Sequence, residues 1–213
     1  MRHHTYVINL NNRTDRLNHI INEFSRFQEF DLKIFPAIKE ENGALGLFKS
    51  FKTIVNEAQN LGLEYVIICE DDHLFTADFD INLLNRYIEI GIQAKIDLLL
   101  GGPSNIHDLI FVNDDLLWIN GFTGLQFTIV FRSFYHVLKD YIMPSNTAFD
   151  LELGKLSNNI FCFYPPFSEQ IYFGYSDVTE KNNQINVKEY FEQSRKKMDY
   201  FYLLSNYYSN LQT

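Results

Sequence analysis

Tyr65-Val66-Ile67-Ile68-Cys69-Glu70-Asp71-Asp72-His73 is the stretch that decides the fold. Its first five residues are largely apolar and read as a buried strand. Three carboxylates follow at the carboxyl end of that strand. In an α/β sheet such a position is where ligand crevices form. Adjacent carboxylates repel one another unless something positive joins them. A hard divalent cation holding a substrate diphosphate answers that need. The plainer reading is a solvated acidic turn or a helix cap, because Asp is a common cap residue.

Working outward, strand and helix patterns alternate. Residues 5–10 read as a first strand, and Asn11-Asn12-Arg13 as a polar turn. Thr14 looks like the N-cap of a helix with Asp15 in its first turn and Leu17, Ile20, Ile21 and Phe24 on its apolar face. Residues 32–35 form a short strand stopped by Pro36. A helix opening at Gly43 and Gly46 buries Leu47, Phe48, Phe51, Ile54, Val55 and Ala58, and ends at Gly62. A helix over 81–93 and a strand over 96–100 follow the acids. This alternation predicts an α/β fold with a mostly parallel sheet flanked by helices. Residues 104–120 read as irregular structure with short strands. Strands over 125–131 and 160–164, a helix over 133–141 and a final helix over 187–208 complete the chain. The last helix is expected to bury Tyr190, Ser194, Lys197, Phe201, Leu204 and Tyr208. Arg195, Lys196 and Lys197 are expected to be solvated, with contact to an anionic membrane left open. The chain reads as one domain over 1–213: a nucleotide-sugar half over 1–103, an acceptor-side half over 104–185, and the C-terminal helix over 186–213.

Composition narrows the class. The 213 residues suffice for one sizeable core. The net charge of -9 argues against a general nucleic-acid binder, which needs a basic stripe. Cys69 and Cys162 both lie in apolar runs and read as buried free thiols. No run reaches the ~20 apolar residues of a membrane-spanning helix, and the N-terminus lacks the apolar region of a signal peptide. The chain is therefore expected to be soluble and cytoplasmic, with the inner membrane face open through its last helix.

Several segments, in order, resemble glycosyltransferase family 25, the lipopolysaccharide and collagen-type sugar transferases of GT-A-like fold. They are Val7-Ile8-Asn9-Leu10-Asn11-Asn12-Arg13-Thr14-Asp15-Arg16, Gly43-Ala44-Leu45-Gly46-Leu47-Phe48-Lys49-Ser50, and residues 65–72 with Glu70-Asp71-Asp72 as the acidic signature. Asp97 to Gly102, Gly124 to Arg132, Asp150-Leu151 and Pro165 to Gln170 extend the likeness over roughly residues 5–177. Phe51 stands where the family usually has His, and Phe127 where it usually has a second Gly.

The resemblance implies a metal-dependent, inverting transfer of a hexose, galactose or glucose, from a UDP-sugar to a lipopolysaccharide or other surface-glycan acceptor. It implies a Mn or Mg ion on Asp72, with Asp71 beside it, to neutralise the departing diphosphate. Glu70 and Asp71 could otherwise meet the ribose, the sugar or metal-bound water. Asn9, Arg13, Arg16, Gly46 and Ser50 fall in its donor-binding segments. Arg13 and Arg16 suit bidentate pairing with phosphate, or equally a solvated helix start. Gly46 admits close backbone approach or only a helix start, and Ser50 either bonds the donor or lies on a polar helix face. His73 is either a ligand or a solvated partner of the acids.

An inverting transfer needs one base. Asp150 leads, followed by Glu152 and Asp177, with helix capping as the other reading of Asp150. Gln170 is placed near the acceptor or the metal water. Trp118 and Phe122 could stack on an acceptor sugar, with core packing as the alternative for Trp118. Two other functions compete. One is a non-catalytic nucleotide-sugar-binding protein on the same fold. The other is a nucleotidyl- or phosphotransferase, for which no Walker-type loop is present.

Overall fold

The structure is a computed structural model that describes residues 2–145, 147–174 and 187–211. Its centre is an eight-stranded sheet in the order β2-β1-β3-β8-β5-β9-β7-β6. The strands are β1 His3–Asn9, β2 Phe30–Pro36, β3 Tyr65–Glu70, β5 Leu98–Leu100, β6 Asn105–Asn113, β7 Leu116–Thr123, β8 Phe127–Phe131 and β9 Ile160–Phe163. β8 and β7 run against the other six, so the sheet is mostly parallel in direction. A second, two-stranded sheet pairs β4 His73–Phe75 with β10 Ser168–Gln170. The helices are α1 Thr14–Ser25, α2 Gly43–Asn60, α3 Ile81–Ala94, α4 Arg132–Asp140, α5 Phe149–Lys155 and α6 Val187–Asn210.

Strand side chains alternate between faces, and a sheet covered on both sides needs apolar residues on each. Tyr6, Ile8, Val66, Ile68, Leu98 and Leu100 join a core with Phe48, Phe51 and Ile54 of α2, Phe134 of α4 and Phe149 of α5. Their neighbours Val7, Ile67, Cys69 and Leu99 point to the other face, against Ile20 and Phe24 of α1 and Leu84, Tyr87 and Ile88 of α3. Cys69 and Cys162 are buried free thiols, as their apolar runs indicate. The parallel strands β1, β3 and β5 bring Asn9, Glu70 and Gly101 to one edge of the sheet.

Four local expectations are corrected. Residues 105–123 form a long β6–β7 hairpin, not mainly irregular structure. A register shift between Phe111 and Asn113 breaks the alternation that would have marked it. The N-cap of α1 is Arg13, with no side-chain cap bond, so Thr14 is already inside the helix. On α6 the buried residues are Phe191, Ser194 and Met198, while Tyr190, Phe201 and Tyr208 are exposed. Phe111, Tyr164 and Tyr202 cluster at that seam. Nor is the basic run simply solvated: Arg195 pairs with Asp78 at 2.7 Å, and Lys197 donates to the carbonyls of Ile106 and His107. Among the described residues no helix is long and apolar enough to cross a membrane.

Candidate active site

The acid turn lies between β3 and β4, at the edge where β1 ends. Arg16 of α1 reaches it from 55 positions away in sequence. Arg16 Nη1 lies 2.9 Å from Asp71 Oδ1 and 2.7 Å from Asp72 Oδ2. Arg13 Nη1 lies 3.6 Å from Asp71 Oδ1. Asn9 Nδ2 donates to Asp71 Oδ2 at 2.9 Å and to the Arg13 carbonyl at 3.3 Å. Asp71 is therefore buried with both oxygens engaged. On the other side, Gln170 of β10 donates to Asp72 Oδ1 at 3.3 Å, and the Ile171 N–H donates to the Asp72 carbonyl at 2.9 Å. The structure thus brings together Asn9, Arg13, Arg16, Asp71, Asp72 and Gln170.

Beside this turn is a cavity of about 360 Å³ lined by Ile8, Leu10, Asn12, Arg13, residues 37–41, Gly43, Leu47, Glu70 and Asp71. Its outer wall, residues 37–41, follows β2 directly and was not singled out in the sequence. Gly46 and Ser50 of α2 hold that wall. A Cβ on Gly46 would come 2.5 Å from the Ile38 carbonyl oxygen. The Ser50 hydroxyl donates to the Gly46 carbonyl and accepts the Ile38 N–H, both at 2.8 Å. Both residues are spent on the protein's own backbone. Asn42 caps α2, accepting the Ala44 and Leu45 N–H groups.

Asp150 stands opposite. Its Oδ2 accepts the Gly124 N–H at 3.1 Å and its Oδ1 the Leu151 N–H at 2.8 Å. It is the second residue of α5, whose N-cap is Ala148. The Asp150 charge also acts on Glu70. Glu152 is tied down elsewhere: Tyr141 donates to it at 2.6 Å and Lys155 at 2.7 Å. Asp177 lies outside the described residues.

The aromatic candidates are not gathered at the acids. Phe122 is fully buried, which corrects its reading as a stacking surface. Trp118 pairs with Ile110 and Phe161 in the sheet and donates its indole N–H to the Asn158 carbonyl at 2.7 Å. His73 is buried, not solvated: its ring accepts or shares a bond with Ser168 Oγ at 2.8 Å and packs on Phe24, Phe75 and Phe127. Phe51 packs on Phe149 and Phe127 on Phe167, so both departures from the family pattern fill core.

The site has an excess of negative charge over its two arginines. Burial pushes the Glu70 carboxyl up to about 8, with Asp72, Asp71 and Asp150 adding to the rise and Arg16 opposing it. Burial raises Asp72 to about 6 against the pull of Arg16. Burial also raises Asp150, opposed by its bonds from Gly124 and Leu151. Glu152 is lowered, chiefly by Lys155 and then Tyr141. His73 is pushed down by burial and is neutral.

Among the described residues no group of three His, Cys, Asp or Glu side chains is arranged to hold a metal ion. Asp71 is engaged by Arg13, Arg16 and Asn9, and Asp72 by Arg16 and, more loosely, by Gln170 at 3.3 Å. Glu70 lines the cavity and Asp72 follows its lining residue Asp71; both carry raised carboxyls and are hard oxygen donors. Two such donors fit an ion of the Mg type, which takes its remaining ligands from phosphate and water.

No protein-family model matches the chain, and no curated protein matches it. Among solved structures it is similar to A197 from STIV, at 12% identity and TM-score 0.47 over 81% of this chain and 86% of that one. It is also similar to a glycosyltransferase involved in the glycosylation of the major capsid of PBCV-1, at 11% identity and TM-score 0.42 over 65% and 64% of the two chains. UDP-glucose pyrophosphorylase complexed with UDP-glucose gives 9% identity and TM-score 0.45 over 90% and 82%. At identities and scores this low the likenesses carry no weight for function.

Proposed function

We propose that the chain is a metal-dependent, inverting glycosyltransferase that moves a hexose, galactose or glucose, from a UDP-sugar to a lipopolysaccharide or other surface-glycan acceptor. One observation carries the reading. Glu70, Asp71 and Arg13 line a cavity of about 360 Å³ at the carboxyl edge of β1 and β3, with Arg16 and Asp72 ion-paired behind Asp71, where open α/β sheets bind ligands. In this reading the nucleoside occupies the cavity between Leu10, Leu47 and the 37–41 wall. Arg13, on the cavity wall, pairs with the diphosphate, with Arg16 behind it adding positive charge. Glu70 and Asp72 would hold a Mn or Mg ion, which when bound neutralises charge on the departing diphosphate. Asp71 fixes Arg16 and Asn9 in place.

Asp150 is the base. Its raised carboxyl suits it to accept the acceptor hydroxyl's proton. The hydroxyl oxygen bonds to the anomeric carbon as the bond from that carbon to the diphosphate breaks, and the electron pair leaves with UDP. Gln170, on the far side of Asp72, meets the acceptor.

A thermal-shift and calorimetric panel of nucleotides and nucleotide-sugars, with and without manganese, tests the reading. A UDP-selective, manganese-dependent rise is expected, and Asp72→Asn is expected to abolish it with the fold intact. No response to any uridine nucleotide would sink the proposal.

A further inference from the structure

One face of α1 reads the acid turn residue by residue. Arg16, His19 and Glu23 are spaced three and four apart, so they share a helix face. Arg16 takes the Asp71 and Asp72 carboxylates. His19 Nε2 lies 2.8 Å from the His73 carbonyl oxygen, to which it donates. Glu23 accepts the Phe75 N–H at 2.9 Å. A cation thus meets carboxylates, an N–H meets a carbonyl, and a carboxylate meets an N–H, in order along residues 71–75. From the opposite side, β10 pairs with residues 73–75, and the Ile171 N–H donates to the Asp72 carbonyl. The His19 ring is itself steadied edge-on against Phe173, at 5.5 Å between centroids, and the Arg16 guanidinium lies over the same ring at 5.1 Å.

We infer that His19 is a positioning residue: its bond to the His73 carbonyl sets the height of the acid turn and so the aim of Asp72 toward Arg16 and the cavity. The inference rests on the reading above only in taking that aim to matter for donor binding. The His73 ring is wedged among Phe24, Phe75 and Phe127 and cannot move freely. His19 holds the carbonyl of the peptide joining His73 to Leu74, and Ile171 holds that of the peptide joining Asp72 to His73. Without the His19 donor the backbone just after the acids loses its tie to α1 at His73, and small misplacements at such sites have large effects.

The test compares His19→Leu, which keeps bulk and removes the donor, with His19→Gln, whose amide can donate to the same carbonyl. Two quantities are read on the full chain: hydrogen exchange at the Ile171 and Phe75 amides, and the dissociation constant for UDP with manganese. His19→Leu is expected to speed Ile171 exchange and to weaken UDP binding, each by about 10-fold, with Phe75 protected and the melting temperature within about 3 °C of wild type. His19→Gln is expected to restore both quantities. Unchanged Ile171 exchange in His19→Leu, a uniform rise at all amides, or failure of His19→Gln to restore would overturn the inference. If the exchange pattern appears as expected but wild type binds no UDP, the proposed function falls and the positioning role of His19 stands.

Discussion

The Arg16 guanidinium bridges two adjacent carboxylates, 2.7 Å from Asp72 and 2.9 Å from Asp71, in a setting where Asp71 and Arg16 are both buried. Removing one partner of a buried ion pair strands the other charge. Arg16→Gln is therefore expected to destabilise the fold by about 3 kcal/mol near neutral pH. The loss should shrink in acid, where protonated carboxyls no longer need the cation. Urea unfolding at two pH values checks this, and an equal loss at both would contradict it.

Glu70 gives the metal-free protein a pH dependence of definite sign. Its carboxyl is raised from 4.5 to about 8, so the folded state holds a proton that the unfolded chain has released. Stability is then full below 4.5 and falls as pH rises through about 8. Asp72 adds a similar fall between 3.8 and about 6. Glu70→Gln should flatten the upper part of this fall and raise the melting temperature at pH 8.5 by about 3–6 °C. Melting curves from pH 4 to 9 measure it; a slope unchanged by the substitution would remove Glu70 as its source.

Gly46 is required by the wall of the cavity. A methyl group there meets the Ile38 carbonyl oxygen, a backbone atom that cannot swing aside. Gly46→Ala is expected to cost about 1–3 kcal/mol and to displace residues 37–41. Ser50→Ala removes the partner of the half-buried Ile38 N–H and is expected to cost about 1 kcal/mol. Both variants should weaken nucleotide binding, a result readable by calorimetry alongside unfolding. Normal binding in both would place the nucleotide away from this wall.

Asp150 separates catalysis from local structure. Asp150→Asn keeps a side-chain oxygen for one backbone N–H but loses the base. Transfer is expected to slow by about 10²–10⁴-fold, with UDP binding largely retained. Loss of thermal stability without loss of turnover would leave Asp150 only its bonds to Gly124 and Leu151.

Much of the scaffold is legible because it is local. The alternation of apolar strands with amphipathic helices marks β1, α1, β2, α2, β3 and α3 within a few residues of their ends. The hairpin β6–β7 is not legible, because a bulge and a mix of polar residues hide its period, and α6 covers its inner face from far along the chain. The buried face of α6 is misread for the same reason: the Tyr-rich sequence offers several apolar stripes, and only the docking partners Phe111 and Tyr164 select one. Gly46 and Ser50 were read toward a ligand but serve the 37–41 wall, a contact between α2 and the end of β2 that no short motif records.

By itself, then, the sequence determined that an α/β sheet forms and that three acids stand at the end of one of its strands, because side-chain periodicity and strand termini are set by neighbouring residues. The tertiary structure alone decided which acids are spoken for. Asp71 is held by Asn9, Arg13 and Arg16, Asp72 by Arg16 and Gln170, Asp150 by the Gly124 and Leu151 N–H groups, and Glu152 by Tyr141 and Lys155, while burial leaves Glu70, Asp72 and Asp150 with raised carboxyls. Apart from neighbours within α5, those partners lie on other elements, and desolvation depends on what the whole fold packs around each group.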